Sequence, residues 1–362
     1  MNKKRQLIYF PYLKYITPID INYFGISLCD SSQLLADQRI TDEDKNFINN
    51  LLNSNIVNDV PIENIFVVTF SKKRPCLKPL DTSEYKLFDE FKKILFICSI
   101  SSSNTKHQRH SIHLWATTEN FIPVFQNFTS GKSTVSYSSG GIINIMDGGY
   151  ELDEISFEKP RHVLINEISF DDILFKKIKK VKKIDIKFFR SLMLAIESFM
   201  HGFYNSNDVS NESRILEQTR AFEILFNLPD IDQRKIFKEK IAMYCRLNSE
   251  RLYKYKYEAK KGKKDGIGSI HEIWADRFYT LRNHIIHGEK INNKELKFKS
   301  QPHFYIALLF FIVAIKQLIN EKLNSKIFYE IILYKNKKFQ IDTQLNQQIL
   351  DKLKKTGISL TK

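Results

Sequence analysis

Cysteine is scarce in this chain. Its four cysteines, Cys29, Cys76, Cys98 and Cys245, are scattered without paired spacing. That pattern argues against a disulfide framework or a zinc site and reads as free thiols. An uninterrupted apolar run of the roughly 20 residues needed to cross a bilayer is also missing. The best stretch, Phe304 to Leu318, contains Lys316 and reads as a buried amphipathic helix. The basic N-terminus is interrupted by Pro11, Tyr12, Lys14 and Tyr15, and no small-residue cleavage site follows. A signal peptide is therefore not expected, and the chain reads as cytoplasmic with no membrane partner. There is no Gly-rich phosphate loop, no Ser-His-Asp set and no pair of metal-binding carboxylates, so no cofactor or metal is expected.

Acidic residues are short in one half only. Residues 1–175 carry 18 basic and 21 acidic side chains, whereas residues 176–362 carry 38 and 20, within an overall net charge of +15. The composition is heavy in Lys, Asn, Ile, Phe and Tyr, as AT-rich codon usage produces, but codon bias acts on both halves alike. A basic region beside a near-neutral one suits a polyanion-binding domain joined to a partner or sensor domain. Nucleic acid is the favoured polyanion over a merely solvated basic surface. The lysines do not lie on one strongly amphipathic face, which disfavours a membrane surface. With 362 residues, 43% of them hydrophobic and 28 of them Phe, there is core enough for two domains.

The first 175 residues read as mainly β. Segments 65–70, 93–98, 110–115 and 162–166 are rich in β-branched and aromatic residues, with Ser, Gly and Asn clusters between them. One helix is expected after Thr41 and Asp44, which form a capping box before Phe47, Ile48, Leu51 and Leu52. The Ser- and Gly-rich stretch 129–149 reads as turns with short strands, and the spacing suggests a sandwich. His107, His110 and His113, with Arg109, invite a metal reading. Positions 110 and 113 of a strand point to opposite faces, however, so no metal is assigned.

A Lys-rich segment, 176–185, separates the halves as a linker. Its Lys176, Lys177, Lys179 and Lys180 read either as an exposed edge or as the rim of an RNA groove. Beyond it the apolar period changes from two to 3.6. Helices are expected over 186–204, 212–227, 232–247, 269–287 and 303–320, with a basic loop at 254–268 whose Lys260, Lys261, Lys263 and Lys264 are further candidate RNA contacts. The overall expectation is α+β: a β-rich domain over 1–175, a helical bundle over 186–325 and a short C-terminal extension over 326–362 with strand-like alternation.

One string carries chemistry: Arg282-Asn283-His284-Ile285-Ile286-His287-Gly288. At 100° per residue, Trp274, Phe278, Leu281 and Ile285 form an apolar stripe. Asp276, Thr280, Asn283 and His287 gather nearly opposite, and Arg282 on the flank is long enough to reach them. Gly288 is a natural helix stop and places His287 in the last turn. An arginine, an amide and a histidine so grouped can hold a phosphate and move protons beside it. The bland alternative is an Arg and a His that simply cap a bundle.

Arg282-Asn283 followed by His287 on a late helix of a bundle resembles the Arg-x4–6-His motif of HEPN domains. The text from Trp274 to Gly288 is similar to the Apea-like HEPN group, and Thr219-Arg-Ala-Phe-Glu-Ile-Leu225 fits a helix of that family. The resemblance covers roughly 186–325 and leaves the N-terminal half unexplained. It implies a metal-independent endoribonuclease in which the RNA 2′-hydroxyl attacks the adjacent phosphate. His287 would be general base or acid, Arg282 would stabilise the transition state, and Asn283 would orient phosphate or histidine. Glu223 is the candidate to set Arg282, and His284 is a secondary candidate beside the cleft. The resemblance also implies a homodimer, because one chain carries one such motif. A bacterial antiphage defence or toxin system, with a protein partner or trigger at the N-terminal domain, suits this arrangement. The alternative is a non-catalytic HEPN module that binds RNA or regulates a partner.

Overall fold

The computed structural model of the chain describes residues 4–15, 21–53, 55–57, 60–61, 65–70, 77–102, 117–129, 132–139, 142–145, 157–158, 167–204, 209–245, 252–259, 262–299, 301–325, 330–333 and 339–342. The fold is α+β and divides into two units, Met1–Asp172 and Ile173–Lys362.

The first unit is organised by a seven-stranded antiparallel sheet. Its strands are β1 (Lys4–Phe10), β2 (Ile21–Tyr23), β3 (Ile26–Asp30), β4 (Phe66–Phe70), β5 (Val124–Thr129), β6 (Lys132–Ser139) and β7 (Ile142–Ile145), in the spatial order β7-β6-β5-β1-β4-β3-β2. Helices α1 (Ser31–Leu35) and α2 (Asp42–Asn53) supply Leu34, Ile48 and Leu51 to the cluster around Leu7, Tyr9 and Val67. Helix α3 (Thr82–Ser102) stacks Phe88 on Phe10 and Phe91 on Tyr23. Because both faces of β1 are covered, Leu7, Ile8, Tyr9 and Phe10 are all buried instead of alternating. Among the described residues the main sheet is thus faced by helices and not, as a sandwich requires, by a second sheet.

One expectation for this unit is corrected here. Residues 93–98 are not a strand but the middle of α3. A continuous apolar run does not distinguish strand from buried helix. Here Asp81 decides, accepting from the backbone N–H groups of Ser83 and Glu84 at 2.9 Å each, while Glu84 accepts from the Asp81 N–H at 3.0 Å. That capping box starts a helix of 21 residues. The Ser-rich segment after 129, expected as turns with short strands, contributes β6 and β7 to the main sheet. The Thr41 hydroxyl does cap α2, accepting from the Asp44 N–H at 3.2 Å. Segments 110–115 and 162–166, and with them His107, Arg109, His110 and His113, lie outside the described residues.

In the second unit, the Lys-rich segment expected as a linker is a helix, α4 (Asp172–Ile184). Leu174, Phe175, Ile178 and Val181 recur at helical spacing and are buried, so the lysines occupy the remaining faces. Helices α5 (Ile186–His201) and α6 (Asn211–Phe226) follow, N-capped by Asp185 and Ser210. Next come α7 (Gln233–Cys245), an antiparallel hairpin of β8 (Tyr253–Ala259) and β9 (Gly262–Gly268), and α8 (Ile270–Ile286). Helix α9 (His303–Lys322) precedes a further antiparallel pair, β10 (Glu330–Leu333) with β11 (Phe339–Asp342). The basic segment 254–268 is therefore the first hairpin and not a loop.

Helix α9 is apolar and long enough to cross a bilayer by length and composition, yet nearly all of it is buried inside the unit. It packs on α6 and α7, and α5 packs on α6. The centre is aromatic. Phe311 stacks on Phe199 at 4.2 Å between ring centroids, and Phe222 meets Phe311 and Phe237 edge-on at 5.4 Å each. Trp274 of α8 stacks on Phe310 at 4.2 Å and on Phe278 at 4.9 Å. His303 joins this cluster above Phe278 at 5.8 Å.

Two outcomes follow from this core. Phe222→Ala removes the ring shared by three helices and should cost about 3–5 kcal/mol in a denaturant titration. Burial first, and the Arg277 charge second, push the His303 imidazole down to about 3. The native state therefore holds His303 neutral while the unfolded chain protonates it. Its contribution to stability is complete above the unfolded value near 6.5 and is lost as pH falls from there toward 3. The melting temperature should fall across that window, and the fall should be shallower in His303→Phe.

Candidate active site

The position of the Arg282–His287 string follows from how α8 starts and stops. Ser269 accepts from the Glu272 N–H at 3.3 Å and Glu272 accepts from the Ser269 N–H at 2.8 Å, a reciprocal cap. At the other end, Gly288 takes φ +71°, a left-handed conformation that a side chain would oppose. Its N–H donates to the Ile285 carbonyl at 3.1 Å, and the Glu289 N–H donates to that of His284 at 2.9 Å. These two bonds close the helix as a Schellman motif, leaving His287 as the C-cap residue.

Inward, Trp274, Phe278 and Leu281 are buried. The other side of α8 borders an open cleft of about 570 Å³, to which α8 contributes Asp276, Tyr279 and Asn283, α7 contributes Gln233, Arg234, Lys235 and Lys238, and the β8–β9 hairpin contributes Tyr257 and Glu258. Asp230 and Asp232 close it on the α6–α7 turn, so the cleft carries both signs of charge. Asp276, expected opposite the apolar stripe, lies on that cleft side and is buried there, where Arg234 grips it with two bonds of 3.0 and 2.9 Å. The third arm of Arg234 donates to the Glu258 carbonyl at 2.9 Å, which ties the hairpin to α7 and α8.

The expected site residues are partly assembled. Arg282 Nη2 lies 3.3 Å from Glu223 Oε1, Arg282 Nη1 donates to Asn283 Oδ1 at 3.1 Å, and its guanidinium sits over the Tyr279 ring at 5.4 Å. Glu223 on α6 therefore does hold Arg282, and it also accepts from the Tyr279 hydroxyl at 2.6 Å. A phenol has one proton, so the 2.8 Å contact between Tyr279 and Gln233 requires the amide to turn its N–H toward it. Burial, then the bond and charge of Glu223, raise the Tyr279 hydroxyl well above its usual range, so it remains a donor. Tyr255, on the same hairpin face as Tyr257, is pushed up to about 12 by burial, then by Asp276 and Glu272.

His284 pairs with Glu258 at 2.8 Å through Nε2. His287 is exposed, and its side chain makes no hydrogen bond or ion pair among the described residues. Of the candidate RNA contacts, Lys177 is committed to Asn320 of α9 at 2.6 Å and Lys179 lies over the Phe175 ring. Lys176 and Lys180 are exposed on α4, and Lys264 is exposed opposite Tyr257. Lys260, Lys261 and the side chain of Lys263 lie outside the described residues. Tyr279, Arg234, Glu258 and the α7 lysines Lys235 and Lys238 were not foreseen. Only Tyr279 had a sequence signal, being one turn before Asn283.

Among the described residues no group of three or more His, Cys, Asp and Glu side chains could hold a metal ion. Arg234→Ala strips the buried Asp276 of its partner and should cost about 3 kcal/mol in urea unfolding, against about 0.5 kcal/mol or less for its exposed neighbour in Lys235→Ala. Comparison of the chain with protein-family models, with curated proteins and with solved structures found no match to any of them.

Proposed function

We propose that this chain is a metal-independent endoribonuclease of HEPN type, acting by attack of an RNA 2′-hydroxyl on the adjacent phosphate. The observation that supports this most is the held guanidinium. Glu223 and the Tyr279 ring position Arg282, which reaches Asn283 at the edge of an open cleft one turn from His287. In the proposed reaction the 2′-oxygen loses its proton and bonds to phosphorus. The bond to the 5′-oxygen breaks, and that oxygen leaves with a proton. Arg282 offsets charge on the phosphorane-like oxygens, Asn283 orients them, and His287 moves a proton. Each role is typically worth about 10²–10³-fold in rate. Lys235 and Lys238 supply ammonium groups on the cleft wall for the RNA backbone.

The setting is part of the same proposal: a cytoplasmic homodimer in a bacterial antiphage defence or toxin system, with the N-terminal unit docking a partner or trigger. The second reading is a non-catalytic RNA-binding or partner-regulating module. It is favoured by the intramolecular bonds that already occupy Arg282.

Purified protein incubated with RNA in EDTA separates the two. The ribonuclease reading predicts cleavage by the wild type and losses of about 10²-fold or more in Arg282→Ala and His287→Ala. Equal behaviour of all three proteins contradicts it. Salt-dependent RNA binding without cleavage selects the binding module.

A further inference from the structure

Cleavage by 2′-hydroxyl attack needs two proton movements at opposite ends of the reacting phosphorus, one off the 2′-oxygen and one onto the 5′-oxygen. We infer that His284, aimed by Glu258, is the second proton-transfer group and protonates the departing 5′-oxygen, while His287 accepts the 2′-proton. This rests on the ribonuclease reading above.

His284 and His287 are three residues apart at the end of α8, neighbours on one side of the helix with Cβ atoms about 5–6 Å apart. Arg282 projects from the opposite side and reaches Asn283 from there. The two rings differ in their surroundings. Glu258 Oε2 lies 2.8 Å from His284 Nε2, and Glu289 Oε2 lies 3.7 Å from Nδ1. An imidazole that is to act as an acid must present a proton from the nitrogen that faces the substrate, and the Glu258 carboxylate at Nε2 leaves Nδ1 for that task. Glu289 is exposed and beyond hydrogen-bond range, so Nδ1 is the nitrogen open to substrate. His287 has no carboxylate partner among the described residues.

Glu258 is not a casual surface partner. Its own backbone carbonyl accepts from Arg234, whose other two arms are locked on the buried Asp276. The chain Asp276–Arg234–Glu258–His284 fixes the imidazole from a hairpin 26 residues away in sequence. Glu258 and Arg234 are positioning residues in this scheme. A histidine that merely pinned the hairpin would matter to stability and not to the identity of the leaving group.

The test uses the full-length protein in EDTA and single-turnover cleavage of two RNAs. They are identical except that the mapped scissile phosphate carries either the ordinary 5′-oxygen or a bridging 5′-sulfur, which leaves without needing a proton. His284→Ala should slow the ordinary RNA about 10²–10³-fold yet cut the sulfur-bridged RNA within about tenfold of wild type, and His287→Ala should be slow on both. Glu258→Gln should fall between wild type and His284→Ala on the ordinary RNA only. If His284→Ala melts below the assay temperature, His284→Gln, which keeps a donor toward Glu258, carries the same comparison. Wild-type rates in the His284 variant on ordinary RNA, or the same loss on both RNAs, overturn the assignment while leaving the ribonuclease reading intact. No cleavage of either RNA by wild type overturns both.

Discussion

The stacking of Trp274 on Phe310 and Phe278 sets the rotation of α8 about its own axis, and the polar features of the second unit follow from that rotation. With this stripe inward, Asp276, Tyr279 and Asn283 must face the cleft. Two of them meet partners from other helices: Arg234 of α7 for Asp276 and Glu223 of α6 for Tyr279, while Asn283 meets the adjacent Arg282. A shift of one residue in the packing would turn these groups by about 100° and break both contacts between helices at once. The core is thus the device that aims the motif.

The polar network runs from buried anchors to exposed rings. Asp276 and Tyr279 are buried, and part-exposed Arg234 ties Asp276 to α7 and the hairpin. Tyr279 and Arg282 share one carboxylate oxygen of Glu223 on α6. The histidines stand outermost, His284 half-buried beside Glu258 and His287 exposed. A proposed proton-transfer site gains from this order, since rigid groups behind the rings limit their motion while the rings themselves remain open to substrate.

Much of this was legible in the sequence, and the remainder failed for identifiable reasons. Helices α5 to α9 announced themselves through period 3.6 and through local caps such as Ser210 and Gly288. Glu223 could be nominated from its place in the helix around Thr219–Leu225. Residues 93–98 misled because a fully buried helix has no polar face to reveal its period, and only Asp81 and Glu84, a dozen residues earlier, gave it away. In α4 the cause was the opposite, since its six lysines drew attention away from the stripe of Leu174, Phe175, Ile178 and Val181. The Glu258–His284 pair was out of reach, since it depends on the register of a hairpin and on how that hairpin leans on α8. Periodicity reports neither.

The central claim is that the groups at the end of α8 act on RNA through its own 2′-hydroxyl. Analysis of the product ends after cleavage in EDTA tests it most directly. The account predicts 2′,3′-cyclic phosphate and 5′-hydroxyl ends, and no cut where the nucleotide before the scissile phosphate is 2′-deoxy. Products with 3′-hydroxyl and 5′-phosphate ends, or cleavage that survives the 2′-deoxy substitution, would contradict it.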